Sequence, residues 1–161
     1  MRKKIFTGFV FASAIIYICV LYQMLFLGFG RGMVLMSEHM LDNYNYLNSI
    51  NIIPFQTISE DVAAVFDGST RWHAIRNLIG NLLLFVPMGF FLPFFAQKMA
   101  KTKTYVIVVA AFIVAVEVIQ IITLSGSLDI DDFILNLSGA LIGFFVCKNT
   151  QIRSLFMFRA W

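Results

Sequence analysis

The stretch DIDDFILNLSGALIGF, Asp129 to Phe144, sets three aspartates at the mouth of an apolar run that also holds Asn136, Ser138, Gly139, Ala140 and Gly143. Its apolar part runs from Phe133 to Cys147. Those residues span about 22 Å at about 1.5 Å each, short of the roughly 30 Å of bilayer hydrocarbon. A helix that begins earlier makes up the length and draws Asp131 and Asp132 to the hydrocarbon edge. Asp129 then suits the N-cap, where a carboxylate accepts from open backbone N–H groups and meets the positive end of the helix dipole. The run reads as a membrane span with an acidic head.

The rest of the chain agrees with a membrane setting. Of its 161 residues 60% are apolar and only 13% charged, and mean hydropathy is +0.83. Soluble domains carry about 25% charged residues and about 45–50% apolar ones. One soluble core of this size cannot hide that excess, so residues 1–161 read as a single all-α integral membrane domain. Its spans cover about 5–28, 77–95, 105–124 and 129–147. Arg2-Lys3-Lys4 before the first span resembles a secretory signal. However, the apolar run continues to Gly28, and its A-x-A pattern, Ala12-Ser13-Ala14, lies mid-run rather than after it, so an uncleaved anchor is expected. Cys19 and Cys147 fall at opposite ends of the membrane in this reading, which argues against a disulfide.

Charge sorts by loop. Arg2, Lys3 and Lys4 precede span one, Lys98, Lys101 and Lys103 join spans two and three, and Lys148, Arg153 and Arg159 follow span four. None of these segments holds an acidic residue. Every Asp and Glu except Glu117 lies in residues 29–76 or 125–132. The positive-inside rule therefore puts both termini and the lysine loop on the cytoplasmic side of a cell membrane, with the acidic loops outside. The pI near 9.0 is thus a matter of topology, and no nucleic acid partner is implied. The tail from Arg153 to Trp161 suits the inner interface.

The outer loop, residues 29–76, is too apolar for a plain linker. Thr57-Ile-Ser-Glu60 fits a capping box opening a short helix through Val62, Ala63, Val65 and Phe66 that stops at Asp67-Gly68. Asn51-Ile-Ile-Pro-Phe55 reads as extended, since Pro54 disfavours helix in the residue before it. The loop is expected to lie on the membrane surface and cover the outer mouth of the bundle.

Counting residues places the polar groups in one layer beneath that mouth. Asn81 lies about 7 Å past Arg76, Glu117 about 10 Å inside the outer end of span three, and Asn136 about 6 Å past Asp132. Asn77 with Asn81, Glu117 with Gln120, and Asp132 with Asn136 each share a helix side. Taken singly, amides in spans are ordinary interhelical glue, at about 0.6 kcal/mol each. A carboxylate at the depth of Glu117 is rarer and points to function, with Arg76 or the amides of Asn81 and Asn136 as its expected partners. The candidate pocket is therefore Arg76, Asn77, Asn81, Glu117, Gln120, Asp129, Asp132 and Asn136, open outward and closed to the cytoplasm.

Other features have plainer readings. Gly139-Ala-Leu-Ile-Gly143 is a GxxxG packing motif, and Pro87 with Gly89 should kink span two where a neighbouring helix can satisfy the freed carbonyl. Arg71, His73 and Arg76 lead into span two, either as an anion site or as a solvated patch anchored by Trp72. The aspartates are not spaced as an EF-hand, because Phe133 and Ile134 stand where an oxygen ligand and a glycine belong. His39 and His73 lack ligand spacing. No metal and no cofactor is expected.

Four blocks in order resemble the VanZ-like family of small bacterial membrane proteins: NIIPF from Asn51, NLLLFVPMGFFLP from Asn81, EVIQ from Glu117 and DIDDFILNLSGALIG from Asp129. The family pattern falls on Asn81, Phe85, Pro87, Gly89, Glu117, Gln120, Asp132, Asn136 and Gly143. Many relatives carry an arginine shortly before the aspartates; Ser125-Gly-Ser-Leu128 has none. The resemblance implies a role at the cell envelope, since the family's namesake is associated with low-level teicoplanin resistance.

The expected function is binding, or modulating access to, a membrane lipid or lipid-linked envelope precursor, which lowers susceptibility to teicoplanin-type glycopeptides. One alternative is an intramembrane enzyme with Glu117 as general acid or base, although no Ser/His, Cys/His or metal constellation supports it. The other is a small transporter or flippase, which would need polar residues through the inner half. Oligomeric state is not legible.

Overall fold

The computed structural model describes residues 2–27, 50–68, 70–123 and 127–149. The readings of residues 29–49 with His39, of Ser125-Gly126 and of the C-terminal tail lie outside the described residues. The chain opens with helix α1 (Arg2–Tyr22), which runs on into a π-helical turn, Gln23–Leu27. A two-residue strand β1 (Ile50–Asn51) leads to α2 (Gln56–Asp67), α3 (Arg71–Leu84) and α4 (Met88–Phe95). A 3-10 turn, Gln97–Ala100, connects to α5 (Thr102–Ile122), and strand β2 (Leu128–Asp129) introduces α6 (Ile130–Asn149).

Among the described residues four helical stretches are long and apolar enough to cross a membrane: Lys4–Leu27, Arg71–Phe95, Thr102–Ile122 and Ile130–Asn149. The protein is an all-α multi-pass membrane protein, as its composition implied. The second stretch starts at Arg71 rather than Asn77, so Arg71, His73 and Arg76 belong to the helix and not to the loop. Hydropathy marks where hydrocarbon begins, whereas the helix continues wherever backbone bonding does; the His73 and Ala74 N–H groups already donate to the Thr70 carbonyl at 3.0 and 3.1 Å.

Phe9, Ile16, Ile18, Leu83, Ile107 and Val146 are all more than half exposed, as suits side chains facing lipid. Lipid tails are as apolar as these side chains, so burial alone does not hold such a bundle together; close packing and hydrogen bonds must. Both act where the second stretch breaks. Phe85, Val86 and Pro87 form a turn between α3 and α4. The N–H groups of Met88 and Gly89 bond three residues back, to Phe85 and Val86, at 3.1 Å each. The Leu84 carbonyl, which loses its α-helical donor there, accepts from the Tyr17 hydroxyl of α1 at 3.0 Å. The expected kink and its rescue by a neighbouring helix are both present.

The glycines set the crossing of α6 with this broken helix. A Cβ on Gly139 would lie 1.8 Å from the Leu82 carbonyl oxygen, one on Gly143 1.9 Å from that of Val86, and one on Gly89 2.1 Å from the Phe144 nitrogen. The four-residue step Gly139–Gly143 thus meets the four-residue step Leu82–Val86, and the two helices run parallel. Beneath the contact lies the core: Phe85, Tyr105, Val109, Ile113, Ala140 and Phe144, none more than 2% exposed. Tyr105 stacks on Phe144 at 4.4 Å between centroids and donates to the Ala140 carbonyl at 3.1 Å. Helix α1 is held mainly by rings, with Phe6 against Phe94, Phe11 against Phe95 and Tyr17 stacked on Phe91. Neither Cys19, exposed, nor Cys147, buried, forms a disulfide.

Replacing Gly139 or Gly143 by alanine should destabilise the protein by about 1–3 kcal/mol, because the methyl group meets backbone that cannot yield. Gly80, whose Cβ would meet nothing within 4 Å, is the control. Gly80→Ala should be neutral or stabilising by up to about 1 kcal/mol through helix propensity. Thermal unfolding in detergent checks both signs.

Candidate functional site

The acidic head of α6 is built from the chain outward. Asp129 is its N-cap, Oδ1 accepting from the Asp131 backbone N–H at 2.9 Å, as its position before the span implied. In front of the cap, β1 and β2 pair in parallel, Ile50 with Leu128 and Asn51 with Asp129. That register brings the Asn51 amide to Asp129 Oδ1 at 3.3 Å and to the Thr57 hydroxyl oxygen at 2.8 Å. Thr57 in turn donates to Asp129 Oδ2 at 2.6 Å. Both oxygens of a carboxylate that is 8% exposed are thereby engaged.

Asp131, fully buried, serves the opposite partner. Its Oδ1 accepts from the Phe55 N–H at 2.6 Å and its Oδ2 from the Ile58 N–H at 3.0 Å. It caps α2, a helix lying more than seventy residues earlier in the chain. The capping box expected at Thr57–Glu60 is therefore not formed. Helix α2 begins at Gln56, the Thr57 hydroxyl goes to Asp129, and Glu60 accepts from the Gln56 side chain at 3.1 Å. A carboxylate arriving from another helix satisfies the orphan donors better than a hydroxyl within the first turn. Phe55 enters this helix with φ of 68°, left-handed backbone that costs a bulky residue roughly 1–2 kcal/mol; the bond from Asp131 holds it there. At the other end Gly68 takes the left-handed cap with φ of 89°, its N–H on the Ala64 carbonyl.

A chain of amides runs beside this cap. Asn77 donates to Asp61 of α2 at 2.8 Å. Asn81 donates to the Asn77 carbonyl oxygen at 3.2 Å and to Asp132 Oδ1. The expected neighbours Asn77 and Asn81 thus meet, Asp132 joins them from α6, and Arg76 lies on the exposed side of α3.

Glu117 of α5 is 5% exposed. The Asp129 backbone hydrogen-bonds its carboxyl, and the charged groups acting on it are Asp132 and Asp129. The Asn81 amide, one of its expected partners, is engaged by Asn77 and Asp132 instead. Its Oε2 has no hydrogen-bond partner, and neither does Oδ1 of Asn136, which is 3% exposed one turn below Asp132. An unsatisfied buried polar atom costs about 1–3 kcal/mol, more when charged. Gln120 departs from the layer: its amide donates to the Leu25 carbonyl at 2.8 Å, inside the π-helical turn. Residues three apart are separated by about 60° around a helix, enough for Glu117 to face α6 and Gln120 to face the first span. Among the described residues no three His, Cys, Asp or Glu side chains form a metal-binding group.

The profile of the VanZ/LLP1 family matches residues 13–156. The chain belongs to this family. The match takes in every VanZ-like block quoted above and extends across most of the first span. No curated protein and no solved structure matches the chain.

Sequence reasoning missed Asn51, Thr57, Asp61 and Asp131 as members of the VanZ-like polar cluster. The one available signal was Asn51, a polar residue inside the apolar stretch Ile50-Asn-Ile-Ile53. Asp131→Asn keeps the shape but turns one acceptor into a donor facing a backbone N–H. It should cost about 1–3 kcal/mol and speed hydrogen exchange at Phe55 and Ile58. Glu60→Gln, on the exposed face of α2, should change neither.

Proposed function

We propose that this VanZ-like protein holds its polar cluster toward the outer face of the bacterial cytoplasmic membrane. There it binds, or controls access to, a lipid-linked envelope component and lowers susceptibility to teicoplanin-type glycopeptides. The observation that carries this reading is the pair of buried, unpartnered acceptors, Glu117 Oε2 and Asn136 Oδ1. The fold spends binding capacity at every other acidic side chain of the cluster and leaves these two open. Supporting it, Asp61, Asp129, Asp131 and Asp132 all accept bonds within the protein, whereas Glu117 keeps one oxygen open. The sorting of lysine and arginine onto the opposite ends of the spans supports the outward orientation.

Glu117→Gln should abolish teicoplanin protection in a susceptible bacterial host while leaving membrane levels unchanged on immunoblots. Full protection by that variant sinks the proposal. Mass spectrometry of the host's envelope lipids separates binding from catalysis: binding leaves the inventory unchanged, whereas a new modified headgroup returns Glu117 to the role of general acid or base.

A further inference from the structure

We propose that the group received between Glu117 and Asn136 is a primary ammonium. This rests on the reading of the cluster as a binding site and names the chemistry of its ligand. Two observations carry it, one from each of two helices. Glu117 on α5 is 5% exposed with Oε2 unpartnered, and Asn136 on α6 is 3% exposed with Oδ1 unpartnered. Asn136 Oδ1 is an acceptor, and Glu117 Oε2 is one when its carboxyl is ionised. Asn136 follows by one turn the Asp132 carboxylate that acts on Glu117, so both open atoms belong to residues that neighbour Asp132. A carboxylate or phosphate oxygen offers no donor and adds a like charge to Glu117, Asp129 and Asp132, which excludes an anionic group from this position. A hydroxyl carries one hydrogen and can serve only one of the two acceptors. A primary ammonium carries three N–H donors, enough for both, and its charge offsets that of a carboxylate held away from water. A quaternary ammonium carries the charge and no donor. The number of N–H groups on the cation is therefore the property the site selects.

The full chain in detergent, exposed to equimolar phosphatidylethanolamine and its mono-, di- and trimethylated forms with identical acyl chains, gives the reading by native mass spectrometry. Charge and phosphate stay constant along this series while N–H donors fall from three to none. Retention should be equal for the first two members, fall about tenfold at the dimethyl form, where one of two charge-assisted bonds is lost, and fall further for the trimethyl form. Glu117→Gln and Asn136→Leu should each flatten the series, and unchanged detergent melting temperatures would show both variants folded. Equal retention of all four lipids overturns the proposal, as does a step that survives in both variants. Either result leaves the protection assay of Glu117→Gln to judge the binding reading on its own. Ethanolamine in solution identifies the source: displacement of the lipid assigns the site to a soluble amine, and no displacement assigns it to a lipid-borne one, with the ammonium chemistry upheld in both.

Discussion

A buried carboxylate with two backbone donors organises the acidic end of this protein. Asp131 is withdrawn from water, and an isolated charge there would be prohibitively costly. The first turn of α2 presents N–H groups that nothing in its own sequence satisfies. Each solves the other's problem, since the donors stabilise the charge and the charge closes the helix end. That one exchange ties α2 to the last span and places Asn51 and Thr57 over Asp129. It also sets α2 where Asp61 meets Asn77.

The second constraint is the approach of two backbones. Gly139 and Gly143 let α6 lie against Leu82 and Val86 with no side chain between them. Only at that separation do the short side chains of Asn81 and Asp132 reach each other across the same pair of helices. The GxxxG motif is a packing device, yet the geometry of the polar cluster depends on it. The break at Phe85–Pro87 bends the second span beside this contact, and Tyr17 of α1 quiets the carbonyl that the break releases.

Much of this was legible in the sequence. Four apolar runs, the cap at Asp129, the kink at Pro87 and the meeting of Asn77 with Asn81 follow from hydropathy, helical spacing and cap chemistry, all of which are local. The relation of Asp131 to Phe55 and Ile58 is not local, and no periodicity links residues so far apart in sequence. Thr57 misled for the same reason: its spacing to Glu60 is right for a capping box, but a stronger acceptor arrives from elsewhere. Glu117 and Gln120 were grouped by their spacing, and the π-helical turn at Gln23–Leu27, which offers Gln120 the Leu25 carbonyl, leaves little trace in sequence. The choice of partner for Glu117 required knowing which amides were already engaged.

The clasp between α2 and the head of the last span is proposed to lie on the extracytoplasmic side. Cysteines at Ile50 and Leu128, partners in the parallel bridge, test it in a chain whose Cys19 and Cys147 are serine, because Cα atoms paired in this way lie within reach of a disulfide. A membrane-impermeant oxidant added to intact cells should cross-link the pair, and a membrane-impermeant maleimide added first should prevent it. No cross-link, or one that forms only after the cells are opened, would contradict the account.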